Sequence, residues 1–277
     1  MGAHQWGTHA VTFAADGVTK RFPATAHERA VREWRALTLL DRHAPGLAPR
    51  PYSCDLGDAG PVVSMSLLPG APIRGAPLDG ERLTRLARTV NALHSALPAD
   101  VLARVPVRPE GPAELGARLR GWAPRLRGRV DAAVGAAVDA GLAWLDASGL
   151  DRTEQTAVPA VFGPGDGNLA NYLWDGSRVR VVDFEDSGRS DRAYELAEIT
   201  EHVASWVEHP LDVAAFLSHV ELTAAETVRL RDCRRLIALV WLFLLSFEDL
   251  ASGDPAARRN PPGTARRQAG RLLALLG

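Results

Sequence analysis

The chain has 277 residues with 32 basic and 33 acidic side chains, and its formal net charge of −1 gives no reason to propose a nucleic-acid partner. Its two cysteines, Cys54 and Cys233, lie far apart without the neighbours of a metal or nucleophile site. We therefore expect reduced thiols and a cytoplasmic protein rather than a disulfide scaffold. The one strongly apolar run, 236–247, is too short to span a bilayer, so no membrane partner is expected either.

The N-terminal part of the sequence predicts a β-hairpin. Residues 10–13 and 18–22 flank a turn at Ala15-Asp16-Gly17, and alternation along the second strand turns Lys20 inward. Lys20 is the only lysine, since every other residue in the Lys+Arg count is arginine. Arginine can replace lysine at most solvated sites, but not where a compact ammonium must sit between phosphates and a carboxylate. The exception therefore indicates a functional lysine.

A helix is predicted over 26–43, because apolar residues recur there at three- and four-residue steps. Glu33 falls at the edge of the apolar face, whereas Glu28 lies well off it. A carboxylate that faces a core is costly unless it is paired. We therefore expect Glu33 to pair with Lys20, and Glu28 is the alternative partner.

The rest of the chain divides into a strand, a crossing and a series of helices. Residues 62–65 are predicted as the last strand of a first lobe, and 69–77, rich in proline and glycine, form the crossing. Periodicity then predicts helices over 79–97, 191–207, 214–218, 223–250 and 264–276, and two more within 113–150 that break around Ala123-Pro124. The predicted domains are residues 1–68 and 69–277.

The segment 163–191 carries the strongest functional signal. In it Asp166 is followed five residues later by Asn171, which is the spacing of a kinase catalytic loop, and Asp183 ends the next apolar strand. A hairpin with a tight turn at Asp175-Gly176 would bring Asn171 close to Asp183. Phosphoryl transfer needs one carboxylate for the acceptor hydroxyl, and an amide oxygen and a second carboxylate for Mg²⁺. The segment therefore predicts a kinase site.

These motifs resemble those of the aminoglycoside phosphotransferase and choline kinase-like family, which comprises small-molecule kinases. The resemblance implies an α+β, protein-kinase-like fold with two lobes. The N-terminal lobe, a small antiparallel sheet plus a helix, would bind the nucleotide, and the larger, mostly helical C-terminal lobe would carry the catalytic loop and the acceptor site. The residues that carry the resemblance are Lys20, Glu33, Leu67-Leu68-Pro69-Gly70, Gly165-Asp166, Asn168, Asn171, Asp183-Phe184-Glu185-Asp186, Gly188-Arg189 and Ala193-Tyr194-Glu195-Leu196-Ala197.

The resemblance also implies a role for each central residue. Asp166 would be the catalytic base, and Asn171 and Asp183 would be the ligands of Mg²⁺. Lys20 would contact the phosphates of a nucleoside triphosphate, ATP or GTP, and Glu33 would hold Lys20 in place.

The nucleotide base would meet the backbone of a hinge at Met65, Ser66 and Leu67. Two features depart from the family pattern. Pro164 stands where the family usually has a histidine that braces the catalytic loop, and the N-terminus has no Gly-x-Gly-x-x-Gly loop. The turn that covers the phosphates would have to be Trp6-Gly7-Thr8-His9.

An acidic stretch suggests where the acceptor binds. Residues 183–201 contain seven acidic side chains, and within that stretch only Arg189 and Arg192 oppose them. An acidic wall beside the catalytic base would suit a cationic acceptor, although glutamates in the first turns of a helix also favour its dipole. The candidate acceptor residues are Glu185, Asp186, Glu198 and His202.

We therefore predict an ATP-dependent O-phosphotransferase that moves the γ-phosphate directly to a hydroxyl of a small molecule. An aminoglycoside-like or other antibiotic is the expected acceptor, which would imply antibiotic resistance. Two alternatives stay open: a kinase of a primary metabolite such as an amino alcohol, homoserine or a sugar, and a non-catalytic nucleotide-binding protein on a kinase scaffold.

Overall fold

The computed structural model describes residues 10–57, 59–150, 158–251 and 259–277. The turn at Trp6-Gly7-Thr8-His9 that was expected to cover the phosphates lies outside the described residues. The predicted fold class is confirmed, because a small antiparallel sheet with one helix precedes a larger and mostly helical lobe. The division of the chain at 68/69 stays a prediction.

The first lobe is a four-stranded antiparallel sheet with the strand order β1-β2-β4-β3. The strands are β1 (Ala10–Phe13), β2 (Gly17–Arg21), β3 (Pro51–Asp55) and β4 (Val62–Ser66). The predicted hairpin is present, and in its register Val11 lies opposite Lys20. β2 also pairs with β4, so Lys20 lies in the interior of the sheet with its side chain buried.

One helix, α1 (His27–His43), packs against β3 and β4. Of its apolar residues at three- and four-residue steps, Ala30, Leu37 and Leu40 are fully buried and Trp34 is half-buried, which agrees with the period. Glu33 lies on the same side of the helix, with only 1% of its surface exposed. A carboxylate at such a position requires a cation or a hydrogen-bond donor.

The second lobe is mostly helical. Its helices are α2 (Gly80–His94), α3 (Ala99–Leu102), α4 (Pro112–Leu126), α5 (Ala132–Ser148), α6 (Arg192–Glu201), α7 (Val213–Leu217), α8 (Ala224–Ala251) and α9 (Thr264–Leu276). The apolar run 236–247 forms the mostly buried middle of α8, which packs against α6 and α9 as a core helix. Among the described residues, no helix is both long enough and apolar enough to cross a membrane.

Two predicted helix boundaries were wrong. Pro124 does not break α4, which continues to Leu126; the missing N–H of Pro124 removes one hydrogen bond to the preceding turn, and only two residues of helix follow it. The break comes after it, where Gly128 adopts a positive φ of 70°. The helix predicted over 191–207 ends at Glu201, and a short 3₁₀ turn, Val203–Ser205, follows.

Short strands position the loops of the second lobe. β5 (Ala71–Pro72), β7 (Tyr172–Trp174) and β8 (Val179–Val181) form one sheet, and β6 (Ala160–Gly163) pairs with β9 (Gly188–Asp191), a pairing that the sequence did not indicate. The predicted hairpin at Asp175-Gly176 is present as β7 and β8. Its turn uses a positive φ only at Gly176, while the carboxylate of Asp175 accepts the backbone N–H groups of Ser177 and Arg178.

Candidate active site

A cavity of about 330 Å³ lies between the sheet of the first lobe and the β7–β8 hairpin of the second. The first lobe contributes strand and helix side chains, and the second contributes the two ends of the hairpin. Within the described part of the chain, the residues that the sequence assigned to the nucleotide or the metal all line this one cavity: Lys20, Glu33, Met65, Ser66, Leu67, Asn171 and Asp183.

Lys20 lies among three carboxylates in this cavity. Its Nζ is 3.4 Å from Glu33 Oε2, 2.5 Å from Asp183 Oδ1 and 2.7 Å from Glu185 Oε2. Burial by itself lowers the pKa of Lys20, but the three carboxylates outweigh burial and raise it. The predicted pairing of Lys20 with Glu33 is thus confirmed. Glu28, the alternative, is exposed and pairs with Arg32 of the same helix.

Glu33 connects the lysine to the second lobe. Its Oε2 accepts the Lys20 ammonium and also the backbone N–H of Phe184, at 2.7 Å. Burial raises the pKa of Glu33 to about 7, although Lys20 and the Phe184 amide act in the opposite direction. Glu33 therefore joins β2 to the residue directly after Asp183, across the two lobes.

The backbone at Asp183 directs its side chain into the cavity. The strand ends at Val181, and Asp183 has a φ of 69°, in the left-handed region that residues other than glycine rarely adopt. Such a residue costs on the order of 1–3 kcal/mol and is typical of functional sites. The sequence correctly predicted that Asp183 lies at this end of the hairpin, but it placed the residue within the strand. The direction of the Asp183 side chain is therefore not set by strand alternation.

Asp166 lies in the loop between β6 and β7. One of its carboxylate oxygens accepts the backbone N–H of Asn168 at 2.9 Å, and the other accepts the side-chain N–H of Asn171 at 3.0 Å. Because a carboxylate only accepts, Asn171 must turn its Nδ2 toward Asp166, which leaves its Oδ1 for another partner. The amide oxygen of Asn171 and the carboxylate of Asp183 are hard oxygen donors on the wall of one cavity, as a Mg²⁺ site requires.

The environment of Asp166 favours a stronger base than a solvated aspartate. Burial raises its pKa to about 6, and the charge of Asp183 adds to this effect, while the donors from Asn168 and Asn171 oppose it. About 39% of the side chain stays accessible. The carboxylate is therefore ionised at neutral pH and still open to a small molecule.

The predicted acidic wall is compensated by arginines that lie far away in the sequence. Glu185 pairs with Arg29 as well as with Lys20, and Asp186 lies 3.6 Å from Arg29 and 3.9 Å from Arg32. The prediction that only Arg189 and Arg192 oppose the stretch was therefore wrong. Ion pairs also hold the remaining carboxylates of this stretch: Asp191 with Arg229, Glu195 and Glu198 with Arg108, and Glu201 with Arg234 and Arg271.

His202 lies beside the catalytic loop as a neutral ring. Its Nδ1 accepts the backbone N–H of Ala204 at 3.0 Å, so the proton is on Nε2, which is 3.7 Å from Asp166 Oδ1. Burial lowers the pKa of His202 to about 3, and the charge of Arg74 adds to the effect. The ring also contacts Trp241 edge-on, with ring centroids 4.5 Å apart. Its role toward an acceptor stays a prediction.

One residue that contacts the predicted catalytic loop, Arg108, was not indicated by the sequence. Arg108, in the loop before α4, donates from Nη2 to the carbonyl of Gly165 at 2.8 Å and from Nη1 to Glu195 Oε1 at 2.8 Å. Nothing in the local sequence, an arginine between Val107 and Pro109, distinguishes it from the chain's many other arginines.

Comparison with known proteins agrees with this geometry. The model of the phosphotransferase enzyme family matches residues 6–218, while no curated protein matches the chain. Among the solved structures with a similar fold are three small-molecule kinases. Choline kinase LicA from Streptococcus pneumoniae has a TM-score of 0.61 and 14% identity, over 97% of this chain and 89% of that one.

The second structure is the GDP complex of wild-type aminoglycoside 2'-phosphotransferase-IIIa, with a TM-score of 0.62 and 16% identity over 98% of this chain and 88% of that one. The third is spectinomycin phosphotransferase APH(9)-Ia with ADP and spectinomycin, with a TM-score of 0.61 and 12% identity over 99% and 87%. Since the family match covers more than half of the chain, this protein belongs to the phosphotransferase enzyme family.

Proposed function

We propose that this small-molecule kinase transfers the γ-phosphate of ATP or GTP to a hydroxyl of a small acceptor, with Asp166 as the catalytic base. One observation carries the proposal. Lys20, Asn171 and Asp183, from both lobes, line a single cavity, and Asp166 is hydrogen-bonded to Asn171 at its edge. A protein that only bound nucleotide would have no use for a base at that position.

The nucleotide base would lie against the apolar side chains of the cavity, which include Phe13, Val18 and Leu173. The hinge can be defined more closely than the sequence allowed. The backbone N–H of Ser66 donates to Arg50 and that of Leu67 donates to Asp16. Because both donors are used within the protein, we place the donor to the base at the next residue, Leu68, which also lines the cavity.

The chemistry follows from the positions of the side chains. Asp166 would accept the proton of the acceptor hydroxyl as that oxygen attacks the γ-phosphorus in line, while Lys20 contacts the phosphates. The bond between the γ-phosphorus and the β,γ-bridging oxygen would break, and the nucleoside diphosphate would leave with that oxygen. Glu33 keeps Lys20 charged and in place. Mg²⁺, when held by Asn171 and Asp183, would neutralise the charge of the transferred group.

Two classes of acceptor are considered for this kinase. An aminoglycoside-like antibiotic remains the first candidate from the resemblance, and a role in antibiotic resistance depends on it. The arginine pairing of the carboxylates in 185–201 favours the second, a metabolite of low positive charge, because the described residues of that stretch leave little net negative charge to attract a polycation.

The test is nucleoside diphosphate release with Mg-ATP or Mg-GTP across a panel of acceptors. The panel contains aminoglycosides, other antibiotics, amino alcohols, homoserine and neutral sugars. Acceptor-dependent release by the wild type supports the proposal and identifies the class. If no acceptor is turned over while Mg-nucleotide raises the melting temperature, the result favours the alternative of a non-catalytic nucleotide-binding protein. Absence of nucleotide binding would contradict the kinase assignment.

Lys20→Arg should impair turnover although it keeps the charge. The guanidinium is larger than the ammonium and cannot occupy the buried space between Glu33, Asp183 and the phosphates in the same way. We expect kcat/KM to fall by at least about tenfold, or about 1.4 kcal/mol. Lys20→Met, which also removes the charge, gives the kcat/KM expected when the function of Lys20 is lost completely. A fully active Lys20→Arg enzyme would show that the unique lysine has no special function.

Turnover should fall on the acid side with an apparent pKa of about 6, because Asp166 accepts a proton only when ionised. Its pKa is raised above the ordinary value by burial, so activity is lost as the pH drops through about 6 rather than near 4. The measurement is kcat/KM from about pH 3 to 8 at saturating Mg²⁺. If kcat/KM instead falls only near pH 4, Asp166 titrates as a solvated aspartate does.

A further inference from the structure

We propose that Arg108 is a positioning residue that, together with Glu195, fixes the catalytic loop through both backbone groups of Gly165, the residue before the proposed base. The inference rests on the proposed role of Asp166. It concerns a side chain that reaches the loop from a different part of the second lobe, about sixty residues earlier in the chain.

The guanidinium of Arg108 makes four charged or carbonyl contacts, of which one is local, from Nε to Pro109 O at 3.2 Å. Nη1 donates to Glu195 Oε1 at 2.8 Å, and Nη2 donates to Gly165 O at 2.8 Å and to Glu198 Oε1 at 3.1 Å. It also lies over the ring of Tyr194, 4.8 Å from the centroid. Only 4% of the side chain is exposed, so these contacts are not weakened by solvent. The residue itself is anchored, because its backbone N–H donates to Arg189 O.

Glu195 completes the contact from the other side. While its Oε1 accepts Arg108, its Oε2 accepts the backbone N–H of Gly165 at 3.3 Å. The Arg108–Glu195 pair therefore holds the carbonyl and the N–H of the same glycine. A planar guanidinium can bridge a carbonyl and two carboxylates at once, which a lysine ammonium cannot do in the same geometry.

Gly165 needs such support because its own backbone is permissive. It has a φ of 86°, and a Cβ at this position would lie 2.1 Å from the carbonyl oxygen of Asp186. The position thus requires glycine, the residue with the greatest conformational freedom. An external contact that fixes the Gly165 peptide also fixes the N-terminal side of Asp166, whose carboxylate must be aimed at the acceptor hydroxyl.

A positioning role differs from a purely structural one in what it changes. Arg108 does not line the cavity and would not touch the nucleotide, so its replacement should change kcat and not the affinity for Mg-nucleotide. Arg229 provides a matched control. It is equally buried, with 5% of its side chain exposed, and pairs with Asp191 at the start of α6, but its described contacts do not reach the catalytic loop.

The experiment compares Arg108→Lys with Arg229→Lys. Turnover is measured with the best acceptor from the panel, or as hydrolysis of Mg-ATP by water if the panel gives none. Mg-AMPPNP affinity is measured by calorimetry, and hydrogen exchange is followed in a peptide covering 163–174. We expect Arg108→Lys to lower kcat by about 10- to 100-fold, as a displaced catalytic group does. Mg-AMPPNP affinity should change less than threefold, and exchange in that peptide should become faster.

Arg229→Lys should lower the melting temperature but leave kcat and the exchange of that peptide unchanged. Equal kcat and equal exchange in both variants, below their melting temperatures, would overturn the proposal and make Arg108 structural only. If the wild type shows no turnover at all, the proposed function fails, while the exchange comparison still decides whether Arg108 fixes the loop. Unaltered exchange in Arg108→Lys would then overturn the inference.

Discussion

Asp166→Asn should lower kcat by about 10²- to 10⁴-fold, the usual contribution of a general base, while the KM for Mg-nucleotide changes little. The substitution keeps the size of the side chain but removes the group that accepts the proton of the acceptor hydroxyl. Asp166 does not line the nucleotide cavity, so the affinity for metal-free nucleotide should not depend on it, and Mg-nucleotide affinity should depend on it only through the hydrogen bond that orients Asn171.

The control must account for the hydrogen bonds that Asp166 makes. Both of its oxygens accept N–H donors, from Asn168 and Asn171, and the amide of an asparagine would face one of those donors with its own N–H. Asp175 serves as a matched control, since it also accepts backbone N–H groups, in the turn between β7 and β8 and away from the cavity. Asp175→Asn should cost stability and leave kcat unchanged. Loss of metal-free AMPPNP binding in Asp166→Asn would mean that the base is misassigned, because reorientation of Asn171 affects only the binding of Mg-AMPPNP.

The cavity that is proposed to bind the nucleotide could be predicted because its lining depends on local periodicity. Strand alternation turned Lys20 inward, helical period placed Glu33 at a buried edge, and the hairpin brought the segment of Asn171 next to that of Asp183. Each of these residues lies within a single regular element or directly at its end. The structure confirms that they meet in one cavity.

The acceptor side could not be predicted, because its charges are set by contacts between distant segments. The acidic residues of 183–201 looked uncompensated in sequence, yet Arg29 and Arg32 of α1 and Arg108 before α4 neutralise several of them. In a chain with so many arginines, no local pattern identifies the few that are buried. A close approach between two backbone segments likewise leaves no signal in the sequence. At Gly167, for example, a Cβ would lie 2.2 Å from the backbone of Glu198.

The position of Asp183 makes its replacement the most discriminating test of the metal site. Asp183→Ala should weaken the binding of Mg-nucleotide by on the order of 10- to 100-fold or more, the range found when the support of a metal site is lost. Metal-free nucleotide should bind as well as before or better. The reason is that Asp183 also pairs with Lys20, so its removal frees the ammonium for the phosphates.

The backbone of Asp183 calls for a second variant. Alanine tolerates its φ of 69° poorly, whereas glycine adopts it freely. Asp183→Gly therefore removes the carboxylate without strain, and calorimetry with Mg-AMPPNP and with AMPPNP in EDTA separates the two effects. If alanine and glycine lose Mg-nucleotide affinity equally, the carboxylate is responsible. A matching loss for metal-free nucleotide would instead remove Asp183 from the metal site and leave its ion pair with Lys20 as its only function, because a metal ligand must discriminate between the two forms.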